Sequence, residues 1–244
     1  MVITSLTNQE VKYLDKLKQR KYRELENKFL VEGEHLVEEA IKKNVLEKII
    51  VLENTEFNFN YPKIEVCEEV MKKISSLDTP PNIIGLCKML EETEIKDKVL
   101  ILDMIQDPGN LGTIIRSAVA FNIDTIILSE NTVDLYNPKV IRSTQGMLFH
   151  INIIKGNIVD KINELKNRNI PIYTTNVEDG ENIKDIEEFD KFALIVGNEG
   201  NGVRSEIASL ADKNIYIKMN SIVESLNVAV ATSILLYELG GKYE

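Results

Sequence analysis

Three short segments hold side chains that chemistry could use. The first runs from Asp103 to Arg116 in the order D-M-I-Q-D-P-G-N-L-G-T-I-I-R. Asp107-Pro108-Gly109 predicts a turn, and Asn110 is the expected N-cap of the helix that follows. Arg116 is left over, six residues on and set among Ile114, Ile115, Ala118, Val119 and Ala120. An arginine in that company either snorkels outwards or reaches into a cleft. The second segment, F-A-L-I-V-G-N-E-G-N-G, ends in Gly197, Gly200 and Gly202. Glycines after a buried strand let a ligand approach bare backbone, with a helix N-terminus next in line. A purely structural turn has the same pattern, and Glu199 inside it would repel a pyrophosphate. The third runs from Ile217 through Met219 and Ser225 to Asn227, then into a helix rich in small residues. Ser225 is its expected N-cap. Core packing accounts for Ala229, Ala231 and Ser233, but not for Ser225 and Asn227 at the helix mouth.

Each segment leaves an apolar run. Strands are expected at 99–103, 125–129, 171–175, 192–196 and 215–219, with helices at about 110–121, 138–144, 157–167, 203–210 and 226–239. Runs this apolar on both faces, alternating with helices, predict an α/β parallel sheet flanked by helices. Residues 1–90 read as a separate small α/β unit. It has a helical pattern at 7–20, a short apolar run at 29–31, helices at 35–43 and 68–77, and strands at 48–52 and 83–87, with Pro80-Pro81 as a breaker. The stretch 91–98, crowded with charge and lacking a packing pattern, is the expected linker, which leaves 99–244 as the larger domain.

Composition narrows the classes. No apolar run is long enough for a membrane span, and charge within the first ten residues leaves no room for a secretory h-region. A cytoplasmic protein is expected. Cys67 and Cys87 lack metal-ligand spacing and read as buried thiols, and His35 and His150 read as structural, so no metal is expected. The net charge of −10 argues against a nucleic-acid partner, yet residues 12–23 set six basic side chains against Asp15 alone. Such a stripe either steers towards phosphate or is a solvated helix face.

Taken together and in order, the three segments resemble the signature motifs of the SpoU (TrmH-like) branch of the SPOUT methyltransferases. The first motif corresponds to Asn110–Arg116, the second to Gly197–Gly202, and the third to Ile217–Asn227 with the helix beyond. A stretch from Asn137 to Phe149 also resembles that family, so the likeness spans about residues 98–239. Phe29–Glu34 more weakly resembles its ribosomal-protein-like substrate-binding domain.

The resemblance implies a catalytic domain with a C-terminal trefoil knot, and transfer of a methyl group from S-adenosylmethionine to a ribose 2′-hydroxyl of RNA, ribosomal ahead of transfer RNA. It implies a cofactor site at Gly197, Asn198, Glu199, Gly200, Ile217, Met219, Ser225, Leu226 and Asn227. It implies Arg116 as the catalytic arginine, with Asn110, Glu199, Ser225 and Asn227 completing the site, and a homodimer built partly on the last helix. A guanidinium stays protonated at neutral pH, so Arg116 is expected to clamp a phosphate and polarise the hydroxyl. RNA contacts are expected from Lys12, Lys16, Lys18, Arg20, Lys21, Arg23, Lys139 and Arg142.

Two other readings stand beside this one. A catalytically silent RNA-binding or ribosome-assembly protein of the same fold would have no reason to keep Asn110, Arg116, Glu199 and Asn227 together. A dinucleotide-dependent oxidoreductase needs G-x-G-x-x-G and a later acid, whereas this loop is G-x-x-G-x-G and the next strand ends near Lys218.

Overall fold

The computed structural model describes residues 2–57, 59–176, 180–186 and 190–240. The chain packs as two compact units, Met1–Glu91 with Asp134–His150, and Glu92–Val133 with Ile151–Glu244. Residues 134–150, expected within the larger domain, pack in the first unit.

The first unit holds a mixed sheet of β1 (Val2–Ile3), β2 (Lys28–Glu32), β3 (Leu46–Leu52), β4 (Lys63–Val66) and β5 (Ile83–Lys88), in the order β1-β4-β3-β5-β2. The expected helix at 7–20 is two helices, α1 (Gln9–Lys16) and α2 (Arg20–Glu26). Asn8 caps α1 by accepting the Glu10 N–H at 2.8 Å. Val11, Leu14 and Leu17, at helical spacing, enter a core with Ile50, Met71 and Ile84. The chain breaks at Gln19, which is extended. Next come α3 (Glu34–Lys42) and α4 (Glu68–Ile74), and the expected helix at 138–144 is α6 (Pro138–Thr144). Cys67 and Cys87 are buried free thiols. His150 pairs with the buried Glu39, and His35 Nε2 lies 3.1 Å from the Gln145 carbonyl.

The second unit is a seven-stranded sheet in which every pairing is parallel. Its strands are β6 (Lys98–Leu102), β7 (Thr125–Ser129), β8 (Asn152–Gly156), β9 (Ile172–Thr175), β10 (Glu181–Asn182), β11 (Phe192–Val196) and β12 (Lys213–Tyr216), in the order β10-β12-β9-β11-β6-β7-β8. β7 and β11 are buried throughout, so their uninterrupted apolar runs have helices to cover both faces. The helices are α5 (Pro108–Ala120), α7 (Ile158–Asn167), α8 (Ser205–Ala208) and α9 (Val228–Leu239). Ile158, Ile162 and Leu165 of α7 join Val99, Ile101, Ile127 and Ile195 in one core. Burying each such side chain contributes about 1.5–3 kcal/mol. The last sheet strand differs from the expected 215–219. It ends at Tyr216, because Ile217 and Met219 turn away to line a cavity. Among the described residues no helix is long and apolar enough to cross a membrane.

Candidate active site

Two helix starts differ from expectation, and both differences free side chains for the site. α5 begins at Pro108, and its N-cap is Asp107, whose carboxylate accepts the Asn110 N–H at 2.8 Å. Proline at the first helical position loses nothing by lacking an N–H, so Asp-Pro is the better start and Asn110 need not cap. α9 is capped by Asn227, not Ser225. Its side-chain oxygen accepts from the amides of Ala229 at 2.9 Å and Val230 at 3.3 Å. Ser225 lies exposed in the loop before it.

These caps fix the direction of a polar chain joining all three segments. With its oxygen committed to amides, Asn227 donates through Nδ2 to Asn110 Oδ1 at 3.0 Å. Asn110 in turn donates through Nδ2 to Glu199 Oε1 at 3.1 Å. An asparagine flip would set two like groups face to face, so the network admits one orientation. Glu199 also accepts the Asp107 N–H at 3.0 Å and the Gln106 N–H at 3.2 Å. Burial pushes its carboxyl up, but the bonds from Asp107, Asn110 and Gln106 outweigh burial and hold it below the ordinary glutamate value.

The second segment is a closed turn. Asn198 and Gly202 exchange two backbone hydrogen bonds of 2.9 Å, with Gly202 at φ +68°. A Cβ on Gly197 would stand 2.0 Å from the Gly202 carbonyl carbon and 2.1 Å from the Val203 nitrogen, so only glycine fits. Beyond the turn, Arg204 grips the fully buried Asp103 with Nε and Nη2 at 3.0 and 2.9 Å. Met104 is held in the left-handed region at φ +63°, its N–H on Ser129 Oγ and its carbonyl taking the Asn198 amide, both at 2.9 Å. Backbone strain of this kind, on the order of 1–3 kcal/mol, persists where surrounding bonds over-determine it.

A cavity of about 450 Å³ opens where β9, β11 and β12 end. Ligands of open parallel sheets sit at such carboxyl ends. Gly197, Asn198, Glu199, Gly200, Ile217, Met219, Ser225 and Leu226 line it, while Asn227 stands beside it as the α9 cap. Asn110 reaches it through Glu199. Sequence reasoning missed Thr174 and Thr175 at the end of β9, Asn176 just beyond it, and Val228, Ala231 and Leu235 of α9, all of which line it. The ends of the parallel strands were the available signal for the β9 residues. It also missed the brace of Asp103 by Arg204.

Arg116 does not line the cavity. It is exposed on α5 and makes no hydrogen bond or ion pair among the described residues. Six residues from Asn110, it lies roughly a third of a turn around the helix. The Asn110 face packs on α9, where Ser117 Oγ meets Ser233 Oγ at 2.7 Å and Phe121 meets Tyr237 ring to ring at 5.7 Å.

The basic stripe divides into paired and unpaired cations among the described residues. Arg23, expected on RNA, is 3% exposed. It donates to the carbonyls of Leu17 and Lys18 at 2.8 and 2.6 Å and pairs with Asp134, because the break between α1 and α2 leaves carbonyls that need a donor. Lys18 pairs with Asp15 at 3.1 Å and Arg20 with Glu24 at 2.6 Å. Arg142 is half-buried and donates to Ser76 Oγ at 2.7 Å, and Lys139 is exposed on α6. Lys12, Lys16 and Lys21 are exposed and make no ion pair among the described residues.

Comparison with known proteins adds to this geometry. Residues 97–237 match the SpoU rRNA Methylase family, and residues 8–85 match an MRM3-like substrate binding domain. The chain is 40% identical to the 23S rRNA (guanosine(2553)-2′-O)-methyltransferase RlmP of Bacillus subtilis, covering 98% of this chain and 99% of that protein. It is 30% identical to the AdoMet-bound rRNA methyltransferase of Sinorhizobium meliloti, with a TM-score of 0.86 over 98% of this chain and 96% of that one. A TrmH-family structure from Porphyromonas gingivalis is 31% identical, with a TM-score of 0.86 over 96% and 98% of the two chains.

Proposed function

The chain belongs to the SpoU rRNA methylase family, and on that premise we propose that it methylates a guanosine ribose 2′-hydroxyl of 23S ribosomal RNA. It is an S-adenosylmethionine-dependent RNA 2′-O-methyltransferase. The observation that carries the reading to this site is the chain Asn227–Asn110–Glu199, which ties three distant segments together at the edge of one cavity. The full-length likeness to a 23S rRNA enzyme supports the choice of RNA, and that enzyme's guanosine supports the choice of base.

The cavity suits S-adenosylmethionine. Ile217, Leu226 and Leu235 offer apolar walls, and the Gly197–Gly202 turn presents bare main chain. The ionised Glu199 at the lining would repel a pyrophosphate but favours a cation. When bound, the cofactor supplies a methyl group already activated on a positively charged sulfur. Gly197, Ile217 and Leu226 hold it, with Asn198, Gly200, Met219 and Ser225 around them. Arg116 makes no hydrogen bond or ion pair among the described residues, so its guanidinium fork is available to clamp the phosphate beside the reacting ribose and aim the hydroxyl. Asn110, Asn227 and Glu199 act as positioning residues, keeping the starts of α5 and α9 and the glycine turn in register. Ser225, exposed at the cavity, offers a hydroxyl to the ribose.

The remaining assignments belong to the same proposal. Residues 99–244 carry catalysis and residues 1–90 hold RNA. The interleaved strand order supports the family's trefoil knot. Exposed Val230 and Tyr237 on α9 support a homodimer, and the RNA substrate supports a cytoplasmic place. The test is incubation of protein-free 23S rRNA with the protein and S-adenosylmethionine, followed by primer extension at low nucleotide concentration. A new stop one nucleotide before a guanosine is expected, and no new stop on any ribosomal RNA would contradict the reading.

A further inference from the structure

The first unit contains a second cavity, of about 370 Å³, between α1 and α2. Its walls include Lys12, Tyr13, Lys16, Tyr22, Leu25 and Glu26. Three features set it apart from an ordinary gap between helices. Lys12 and Lys16 are two of the three cations in the basic stripe that form no ion pair among the described residues, whereas the stripe's other cations are spent on Asp15, Glu24 and Asp134. Two of the chain's eight tyrosines line it, in a protein with only 6% aromatic residues. Leu25 also lines it, a large apolar side chain with 72% of its surface in water.

The cation and the rings are presented together. The Lys16 ammonium stands 5.4 Å over the Tyr22 ring. Tyr13 is partly withdrawn from water, and burial raises its hydroxyl above the ordinary tyrosine value. An aromatic and apolar surface flanked by unpaired lysines matches the chemistry of an unstacked nucleobase with its phosphate. Bases stack on rings whatever their identity, and the neighbouring backbone seeks cations. The Glu26 carboxylate at the same cleft would repel a phosphate placed directly on it but can accept from the amino edge of a base.

We propose that the cleft between α1 and α2 takes one splayed-out base of the RNA substrate, stacked on Tyr22 beside Leu25, with Lys12 and Lys16 on the adjoining phosphates. This rests on the RNA-modifying reading above and names a subsite for it in the first unit. A stacked base anchors position while leaving the sequence choice to other contacts, so the cleft acts on RNA affinity and not on methyl transfer itself.

The test uses the full-length protein and protein-free 23S rRNA, with the dissociation constant measured across salt concentrations and methyl transfer measured on the same RNA. Tyr22→Ala should weaken binding by about tenfold or more with an unchanged salt slope, and Tyr22→Phe should bind as wild type. Lys16→Gln should weaken binding and reduce the slope by about one. Leu25→Glu, at a site already 72% exposed to water, should also weaken binding and leave the melting temperature unchanged. In each variant KM for RNA rises while kcat holds. If Tyr22→Ala and Leu25→Glu bind like wild type while methyl transfer proceeds, the cleft proposal falls and the enzyme reading stands. Equal losses in Tyr22→Ala and Tyr22→Phe would overturn stacking. If wild-type protein neither binds nor methylates 23S rRNA, the enzyme reading fails and the cleft proposal fails with it.

Discussion

Asn227 Nδ2 donates to Asn110 Oδ1 at 3.0 Å, joining the first turns of α9 and α5 across 117 residues of sequence. Because Asn227 also caps α9, this bond has only one direction, and it hands Asn110's own amide to Glu199. The site is held by an ordered relay of donors.

The relay predicts what Asn110→Asp does. A carboxylate there would face Glu199 without a proton to donate, so one acceptor pair would be set against itself. Losing the bond and adding repulsion should cost about 1–3 kcal/mol, read as a lower Tm of the isolated protein. Methyl transfer should fall with it, and Asn110→Ala should fall less in Tm than the isosteric acid. An unchanged Tm for the acid would mean the relay does not hold the site.

Glu199 makes a pH prediction. Its folded pKa is depressed, so its contribution is fully present above the unfolded glutamate value, near 4.3, and is lost as pH falls through the folded value. Glu199→Gln should therefore be less stable than wild type at pH 7. The two melting curves should converge as the solution is acidified below about pH 4. A difference that stays constant with pH would assign the stabilisation to shape instead of charge.

Gly197→Ala tests the close approach at the turn. The added carbon would meet Gly202 and Val203 at 2.0 and 2.1 Å, both backbone atoms that cannot rotate away. The turn must shift, at a cost of about 1–3 kcal/mol. Calorimetric titration with S-adenosylmethionine should show affinity down by roughly tenfold or more. Undiminished affinity would mean that the cofactor does not use this turn.

Arg23 and Lys12 sit in one basic stripe but should behave oppositely. Arg23→Met leaves Asp134 without its partner in a buried setting, and breaking such a pair costs about 3–5 kcal/mol. Lys12→Gln should leave Tm unchanged and weaken RNA binding, with a shallower salt dependence. Reversed behaviour would return Arg23 to the RNA surface.

How much of this was legible in sequence depended on whether a residue's role was local. β6, β7 and β11 could be read because burial on both faces leaves an uninterrupted apolar run. β8 was missed because it is an edge strand of mixed exposure ending in Lys155 and Gly156. Helix caps were half-legible. Asn110 and Ser225 are residue types that cap, but Asp107 and Asn227 do the capping, and Asn110 is claimed by Glu199, 89 residues away. The bracing of Asp103 by Arg204 and of Arg23 by Asp134 spans 101 and 111 residues. Such pairings exist only once the fold has brought the chain together. The basic stripe looked uniform in sequence, and only its ion pairs separate structural cations from available ones.

Arg116 is the side chain on which ribose methylation at this site depends most directly. Labelled S-adenosylmethionine, wild-type protein and Arg116→Ala would be incubated with protein-free total RNA, which is then sized and digested to nucleosides. Arg116 is exposed and makes no hydrogen bond or ion pair among the described residues, so the variant should melt with wild type and bind the cofactor normally. Label is expected as a 2′-O-methyl nucleoside in large-subunit RNA with wild type, with a loss of about 100-fold or more in the variant. Equal labelling by the two proteins, or label on a base and not on the ribose, would contradict it.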